Sequence, residues 1–359
     1  IPPSKKAKFT ATSPVDFTPY PVPFKHHQMI AKLEKVRELF ESSPFNRYVG
    51  PEQPELMLVT SGACWFYSLE AIKALNAGDR VGILKLGTTW PLPERFLQKN
   101  LARTARVLVV EEVAPFLEDN LKQLVGGELA TAGPIAFYGK QSGHIPDTGE
   151  LNPDIVRQAL GFEPLPTAFE PATEIANRPP ALCKGCPHID SFRALNEALN
   201  DFDNPQVFSD IGCYTLAALP PLEAVHSCVA MGASIGMAAG AAHAGYSPAV
   251  AAIGDSTFSH GGITPLLSAV QQGVNLNVIV LDNGTVGMTG TQRSMSTGPT
   301  LDSIIRGTGI AEEHVREIEP IPRNHEQNVN VLREELAYEG PSVIVARRAC
   351  LEAVKKRPH

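Results

Sequence analysis

Apolar runs of strand length recur along the first half of the chain at 56–60, 81–86, 107–111 and 134–138. The segments between them, 67–76, 94–102 and 117–125, carry apolar residues at helical spacing. Gly78 closes the first of these helices, and Gly126-Gly127 the last. Strand and helix in alternation predict right-handed parallel crossovers, and therefore a compact α/β domain over 51–145. Ahead of it, prolines at 2, 3, 14, 19, 21 and 23 predict an extended arm. A polar helix follows over 28–42, with apolar positions 30, 33, 36, 39 and 40. Residues 146–180 hold Pro146, Pro153, Pro164, Pro166, Pro171, Pro179 and Pro180, which read as a linker. The second domain, 181–359, shows strand-like runs at 249–253, 276–281 and 342–347 and a helix around 329–338. The stretch after Gly290 up to that helix reads as polar and irregular.

Composition narrows the class. With 359 residues, a net charge of −7 and no Lys/Arg cluster beyond Lys5-Lys6 and Lys355-Lys356-Arg357, the chain offers no nucleic-acid surface. The most apolar stretch, 228–242, is stopped by His243 and is too short to cross a bilayer. No secretory leader is visible, so the chain reads as soluble and cytoplasmic, its six cysteines as thiols or metal ligands. It begins with Ile1 rather than Met, as a fragment or processed piece of a longer protein would.

The candidate chemistry centres on residues 254–290. Gly254-Asp255 ends one apolar run, and Asp282-Asn283-Gly284 ends the next, 28 residues on from Asp255 to Asn283. In a parallel sheet both ends reach the same edge, where ligands bind. A carboxylate, an amide oxygen and a backbone carbonyl are hard ligands for a Mg²⁺ that also holds phosphate oxygens. Gly254 would let a phosphate approach the backbone, and Ser256 and Thr257 could donate to it. The spacing resembles the thiamine diphosphate motif, with Ser256 where a third glycine usually stands. An acidic strand end capping a helix is the plain alternative. His260, five residues past the aspartate, is the one candidate acid–base residue; it and His226 also fit a purely structural role.

The second domain opens with Cys183-Lys184-Gly185-Cys186-Pro187-His188. Such a pair serves a redox disulfide, half a zinc site or half an iron–sulfur site. Cys213 and Cys350 each follow a strand-like run, so four thiolates could converge on one sheet edge and hold a 4Fe–4S cluster. Cys228 reads as a core residue. Gly232, Gly236 and Gly240, four apart, predict a helix face with a very close neighbour. In the first domain, Ser61-Gly62 could seat an anion or form a plain turn. Glu111-Glu112 could mark a site or a solvated strand end.

Five motifs in order, CKGCPH at 183, SDIGCYTL at 209, CVAMGASIGMAAG at 228, IGDSTFSHGGI at 253 and VLDNGTVGMTG at 280, resemble the alpha subunit of indolepyruvate ferredoxin oxidoreductases. These belong to the thiamine diphosphate-dependent 2-oxoacid:ferredoxin oxidoreductases. LKLGTTWPLPE and VLVVEEVAPFLED extend the likeness into 51–140. The resemblance implies an α/β architecture, a transketolase C-terminal-like parallel-sheet domain followed by a doubly wound thiamine diphosphate-binding domain. It implies Asp255, Asn283 and the Thr285 carbonyl as Mg²⁺ ligands. Gly212, Gly254, Ser256, Thr257, Gly287, Thr289 and Gly290 would line the cofactor, and Cys183, Cys186, Cys213 and Cys350 would hold the cluster. Oxidative decarboxylation of an arylpyruvate-type 2-oxoacid to acyl-CoA follows, with coenzyme A as co-substrate and ferredoxin or another subunit as electron acceptor. The pyrimidine-binding domain with its activating glutamate, and the gamma-type domain, would then lie on other segments or subunits of a hetero-oligomer. A non-oxidative thiamine-dependent decarboxylase and a zinc-stapled scaffold subunit are the alternatives.

Overall fold

A computed structural model describes residues 22–127, 134–161, 176 and 178–355. The chain divides into two units, Ile1–Thr173 and Glu174–His359. Most of the predicted proline arm and much of the linker lie outside the described residues.

The first unit carries α1 (Val22–Glu41), β1 (Arg47–Val49), β2 (Leu56–Ser61), α2 (Cys64–Ala74) and β3 (Val81–Leu86). It continues with α3 (Glu94–Leu101), β4 (Arg106–Val110), α4 (Phe116–Gly127), β5 (Ala136–Tyr138) and α5 (Pro153–Ala159). The sheet order is β1-β3-β2-β4-β5, parallel except for β1. Because strand side chains alternate faces, Met57 and Val59 join the core under α3 and α4, while Leu58 joins Ile72 of α2 on the other face. Buried Glu111 resolves as a helix cap. Its carboxylate accepts the N–H groups of Leu117 (2.7 Å) and Glu118 (2.9 Å) at the start of α4. Gly62, at φ 58°, makes the left-handed turn between β2 and α2. Residues 146–161, expected to be linker, instead pack into this unit. Asn152 accepts the Ile155 N–H, Pro153 occupies the first helical turn, and Val156 is fully buried.

The second unit begins with α6 (Pro187–Leu199), β6 (Gln206–Ser209), β7 (Ser227–Cys228), α7 (Ser234–His243) and β8 (Ala249–Gly254). A helical turn α8 (Asp255–Thr257) runs through a wide turn at Phe258–Gly262 into α9 (Ile263–Gln272). Then come β9 (Asn277–Asp282), the hairpin β10 (Thr285–Val286) and β11 (Gln292–Arg293), and α10 (Pro299–Arg306). β12 (Val315–Ile318), α11 (His325–Leu336), β13 (Ser342–Arg347) and α12 (Leu351–Lys355) complete the unit. Its main sheet is wholly parallel in the order β12-β13-β9-β8-β6-β7. Every residue of β8 and β9 is buried, as expected of central parallel strands covered on both faces. Val250 and Ala252 face Phe192 of α6 and Leu332 of α11; Ala249, Ala251 and Ile253 face Ile235 of α7 and Leu266 of α9. Gly273, left-handed at φ 61°, ends α9.

The glycine face predicted on α7 has a different explanation. Gly232 precedes the helix and packs on Gly261, where an added Cβ would lie 3.2 Å from its Cα. Gly236 and Gly240 meet no neighbour within 4 Å among the described residues. His226 is structural, its Nδ1 accepting the Val207 N–H at 2.8 Å. No helix among the described residues is long and apolar enough to cross a membrane.

Candidate functional site

β8 and β9 run in register, Gly254 opposite Leu281, so Asp255 and Asn283 emerge together at the carboxyl edge of the sheet. A cavity opens there. Asp255, Asn283 and Thr285 line it. So do Gly254, Ser256 and Thr257 from the β8 end, Gly287 and Thr289 from the loop after β10, and Gly212 from the β6 end. Gly290 lies beyond the lining and turns the hairpin loop at φ 118°. His260 is exposed and lines neither this cavity nor the one described below.

Asp255 is 3% exposed, and among the described residues its Oδ2 has no hydrogen-bond partner. Burial pushes its carboxyl up to about 6, and the Asp282 carboxylate adds to the rise. Donation from Ser294 and from the Ser256 and Gly284 N–H groups pulls the other way. A buried carboxylate with an orphaned oxygen in an open cavity suits a hard divalent cation, which would satisfy that oxygen and remove the cost of its charge. Asn283 Oδ1 accepts the Thr285 N–H at 3.0 Å, leaving a second lone pair, and Nδ2 lies 3.2 Å from His188 Nε2. The chemistry of these residues fits Mg²⁺, and the same cavity is lined by Ser256 and Thr257.

Gly254 has a reason beyond phosphate approach. A Cβ there would lie 2.7 Å from Cε1 of the buried Tyr214 ring. Burial pushes the Tyr214 hydroxyl well above its usual range, although Gly254 and Thr257 hydrogen-bond to it. Gly254→Ala is therefore expected to shift this ring and destabilise the chain by about 1–3 kcal/mol in urea denaturation. Tyr214→Leu in the same chain should return most of that loss.

A second cavity adjoins the first and contains the four predicted cysteines in its lining: Cys183, Cys186, Cys213 and Cys350. They arrive from the approach to α6, the end of β6 and the end of β13, which the parallel topology brings to one edge. Burial pushes the Cys186 thiol up to about 11, opposed by the His188 N–H and reinforced by Cys183, Cys213 and Cys350. Cys213 is raised by burial and by Cys350 and Cys183. Cysteines whose thiolates would repel one another across a cavity suit a polynuclear group whose metals would take up that charge. Among the described residues, no three His, Cys, Asp or Glu side chains group closely enough to hold one metal ion. Cys228 lies on β7 outside both linings.

The two cavities share His188, Cys213, Asn283 and Gly287. They are also joined through the backbone, because the Asn283 carbonyl accepts the Cys350 N–H at 3.0 Å. A Cβ on Gly287 would stand 3.5 Å from Cys213 Sγ and 3.6 Å from Cys350 Sγ.

Residues 210–346 match the thiamine pyrophosphate enzyme C-terminal TPP binding domain. The indolepyruvate oxidoreductase subunit IorA of Archaeoglobus fulgidus is 35% identical over 343 residues, covering 90% of this chain and 53% of that one. The IorA of Pyrococcus abyssi is 34% identical over 363 residues, covering 91% and 54%. This chain is a relative of the IorA subunits. It spans about half the length of those relatives. The IorA likeness runs through both units, whereas the thiamine pyrophosphate match falls within the second. Among solved structures, a 2-oxoglutarate:ferredoxin oxidoreductase from Magnetococcus marinus aligns at 17% identity and a TM-score of 0.40. It covers 50% of this chain and 69% of that one, a likeness too distant to bear on the site.

Two residues of this IorA-like site do not stand out in the sequence. His188 sits inside the CKGCPH motif and Tyr214 directly follows Cys213, and the cysteines beside them carry the stronger signal. Adjacency to cluster candidates is the one clue the sequence offers. Only the fold shows that His188 reaches Asn283, 95 residues away, and that the Tyr214 ring lies against Gly254.

Proposed function

We propose that this chain forms the thiamine diphosphate- and cluster-holding part of a 2-oxoacid oxidoreductase. The overall reaction is oxidation of an arylpyruvate-type 2-oxoacid with coenzyme A to acyl-CoA and CO₂, two electrons passing one at a time to ferredoxin or an equivalent acceptor. The observation that carries this reading is the pair of adjoining cavities, one built around Asp255 and Asn283 and the other around four cysteines, with four residues in common. A decarboxylase that releases an aldehyde has no use for the second cavity. The arylpyruvate preference is supported by the IorA relatives.

Asp255, Asn283 and the Thr285 carbonyl hold Mg²⁺, and Ser256, Thr257, Gly287 and Thr289 line the diphosphate. Cys183, Cys186, Cys213 and Cys350 hold a 4Fe–4S cluster. When bound, thiamine diphosphate supplies the carbanion chemistry that releases CO₂, and the cluster supplies one-electron transfer. The chain's own contribution is position and electrostatics. Buried Asp255 would hold the cation and the Ser256 and Thr257 hydroxyls would donate to the phosphates, while His188, Cys213, Asn283 and Gly287 line both cavities. Among the described residues, Asp255 is the one acidic side chain lining its cavity, and on this proposal the glutamate that activates the cofactor belongs to another domain or subunit. Met231 and Met288, both in the lining and each 52% exposed, leave apolar surface for such a partner.

Incubation of the purified complete complex with an arylpyruvate, coenzyme A and a low-potential acceptor tests the proposal. Acyl-CoA formed with two acceptor equivalents reduced per CO₂ is the expected result. Aldehyde and CO₂ with no acceptor reduced would overturn it in favour of the decarboxylase.

A further inference from the structure

His188 is where the two cavities meet. It stands in the first turn of α6, directly after Pro187 and the Cys183/Cys186 pair. Its ring is 3% exposed and packs edge-on against Tyr214, centroids 5.9 Å apart. Nε2 lies 3.2 Å from Asn283 Nδ2. An amide NH₂ only donates, so Nε2 accepts and the ring proton belongs on Nδ1. The other end of the amide is set independently, because Asn283 Oδ1 accepts the Thr285 N–H at 3.0 Å. Turning the amide over would set NH₂ against the Thr285 N–H and lose that bond, and the contact with His188 would survive only if the ring proton moved from Nδ1 to Nε2. Which way the amide faces decides whether a cation meets oxygen or nitrogen, and only the oxygen is a ligand for Mg²⁺.

We propose that His188 is a positioning residue for the metal site, accepting from the Asn283 amide and so keeping its oxygen available to the cation. The proposal rests on the reading of Asp255 and Asn283 as metal ligands given above. His188 is well placed for it because it is tied to rigid surroundings on its other side. Its main-chain N–H hydrogen-bonds Cys186, and Cys350 holds the Asn283 carbonyl. Outer partners that orient ligands in this way govern metal affinity without touching the metal.

The test is titration of Mn²⁺, as a paramagnetic probe, into the apo-complex with saturating thiamine diphosphate, read by electron paramagnetic resonance. If the wild-type complex does not bind Mn²⁺, the metal-site reading itself fails and this proposal falls with it. Given wild-type binding, His188→Phe, which fills the space but accepts nothing, is expected to weaken Mn²⁺ by about tenfold or more. His188→Gln, whose side-chain oxygen can accept, should recover to within about threefold of wild type. Asn283→Asp presents oxygen on both sides, so in that background His188→Phe should cost no more than about threefold. Wild-type affinity in His188→Phe, equal loss in both His188 variants, or an undiminished loss in the Asn283→Asp background overturns the proposal.

Discussion

Asp255→Asn is expected to abolish retention of Mg²⁺ and thiamine diphosphate while making the cofactor-free chain more stable. The folded carboxyl titrates at about 6, against 3.8 when unperturbed, chiefly because burial disfavours its charge. The folded state therefore holds the proton more tightly than the unfolded state. Stability from this group is fully present below about pH 4 and is lost as pH rises through about 6. At pH 7 the ionised, metal-free carboxylate costs about 2–3 kcal/mol, which the neutral amide avoids. Urea denaturation of both apo-proteins at pH 4 and pH 7 checks this. The two midpoints should lie close together at pH 4, and the variant's should be the higher at pH 7. The affinity of the wild type for Mg²⁺ should run the opposite way with pH, rising up to about pH 6 and then levelling, because the cation takes only the carboxylate. A variant no more stable than wild type at pH 7 would mean that Asp255 bears no burial cost, and a variant that retains thiamine diphosphate would remove it from the metal site.

Cys186→Ser is expected to empty the cysteine cavity of iron, from about four irons per chain to near zero, while thiamine diphosphate is retained. Cys186 is the thiol that burial and its three neighbours perturb most clearly, so its loss removes both a ligand and the best-enclosed corner of the site. Cys228→Ser is the control. That residue lies on β7 and lines neither cavity, so iron and thiamine should both stay at wild-type levels. Iron unchanged in Cys186→Ser, or lost equally in Cys228→Ser, would show that the four-cysteine cavity is not the cluster site.

The parts of the fold and site that are legible in the sequence are those the chain writes locally. β8 and β9 are continuous apolar runs because both their faces are buried, and each ends on a polar pair. That pattern is enough to bring Asp255 and Asn283 to one sheet edge, and the register of the two strands agrees. The convergence of Cys350 with Cys183, Cys186 and Cys213 follows from the same rule, since the ends of parallel strands share an edge. Elsewhere tertiary context decides. α10 buries only Leu301 and Ile305, and β12, an edge strand of sequence VREI, fully buries only Ile318. β12 leaves no clean alternation, whereas α10 is amphipathic but only eight residues long, and both lie in a stretch whose sequence suggests irregular structure. The prolines of 146–180 suggest a linker, yet Pro153 at the first turn of α5 starts a helix rather than breaking one. The glycine spacing at 232, 236 and 240 resembles a packed helix face, but only Gly232 meets a close neighbour. The contact between His188 and the Asn283 amide is illegible in sequence because the histidine comes from a separate helix.

A count of bound groups tests the central claim most directly. Thiamine diphosphate, magnesium, iron and acid-labile sulfide are measured on the complete complex purified without oxygen, and a paramagnetic resonance spectrum is taken after reduction. One thiamine diphosphate and one magnesium, with about four irons and a cluster signal that disappears in Cys186→Ser, is the expected result. Thiamine diphosphate with no iron traceable to these cysteines, or zinc with no thiamine diphosphate, would contradict it.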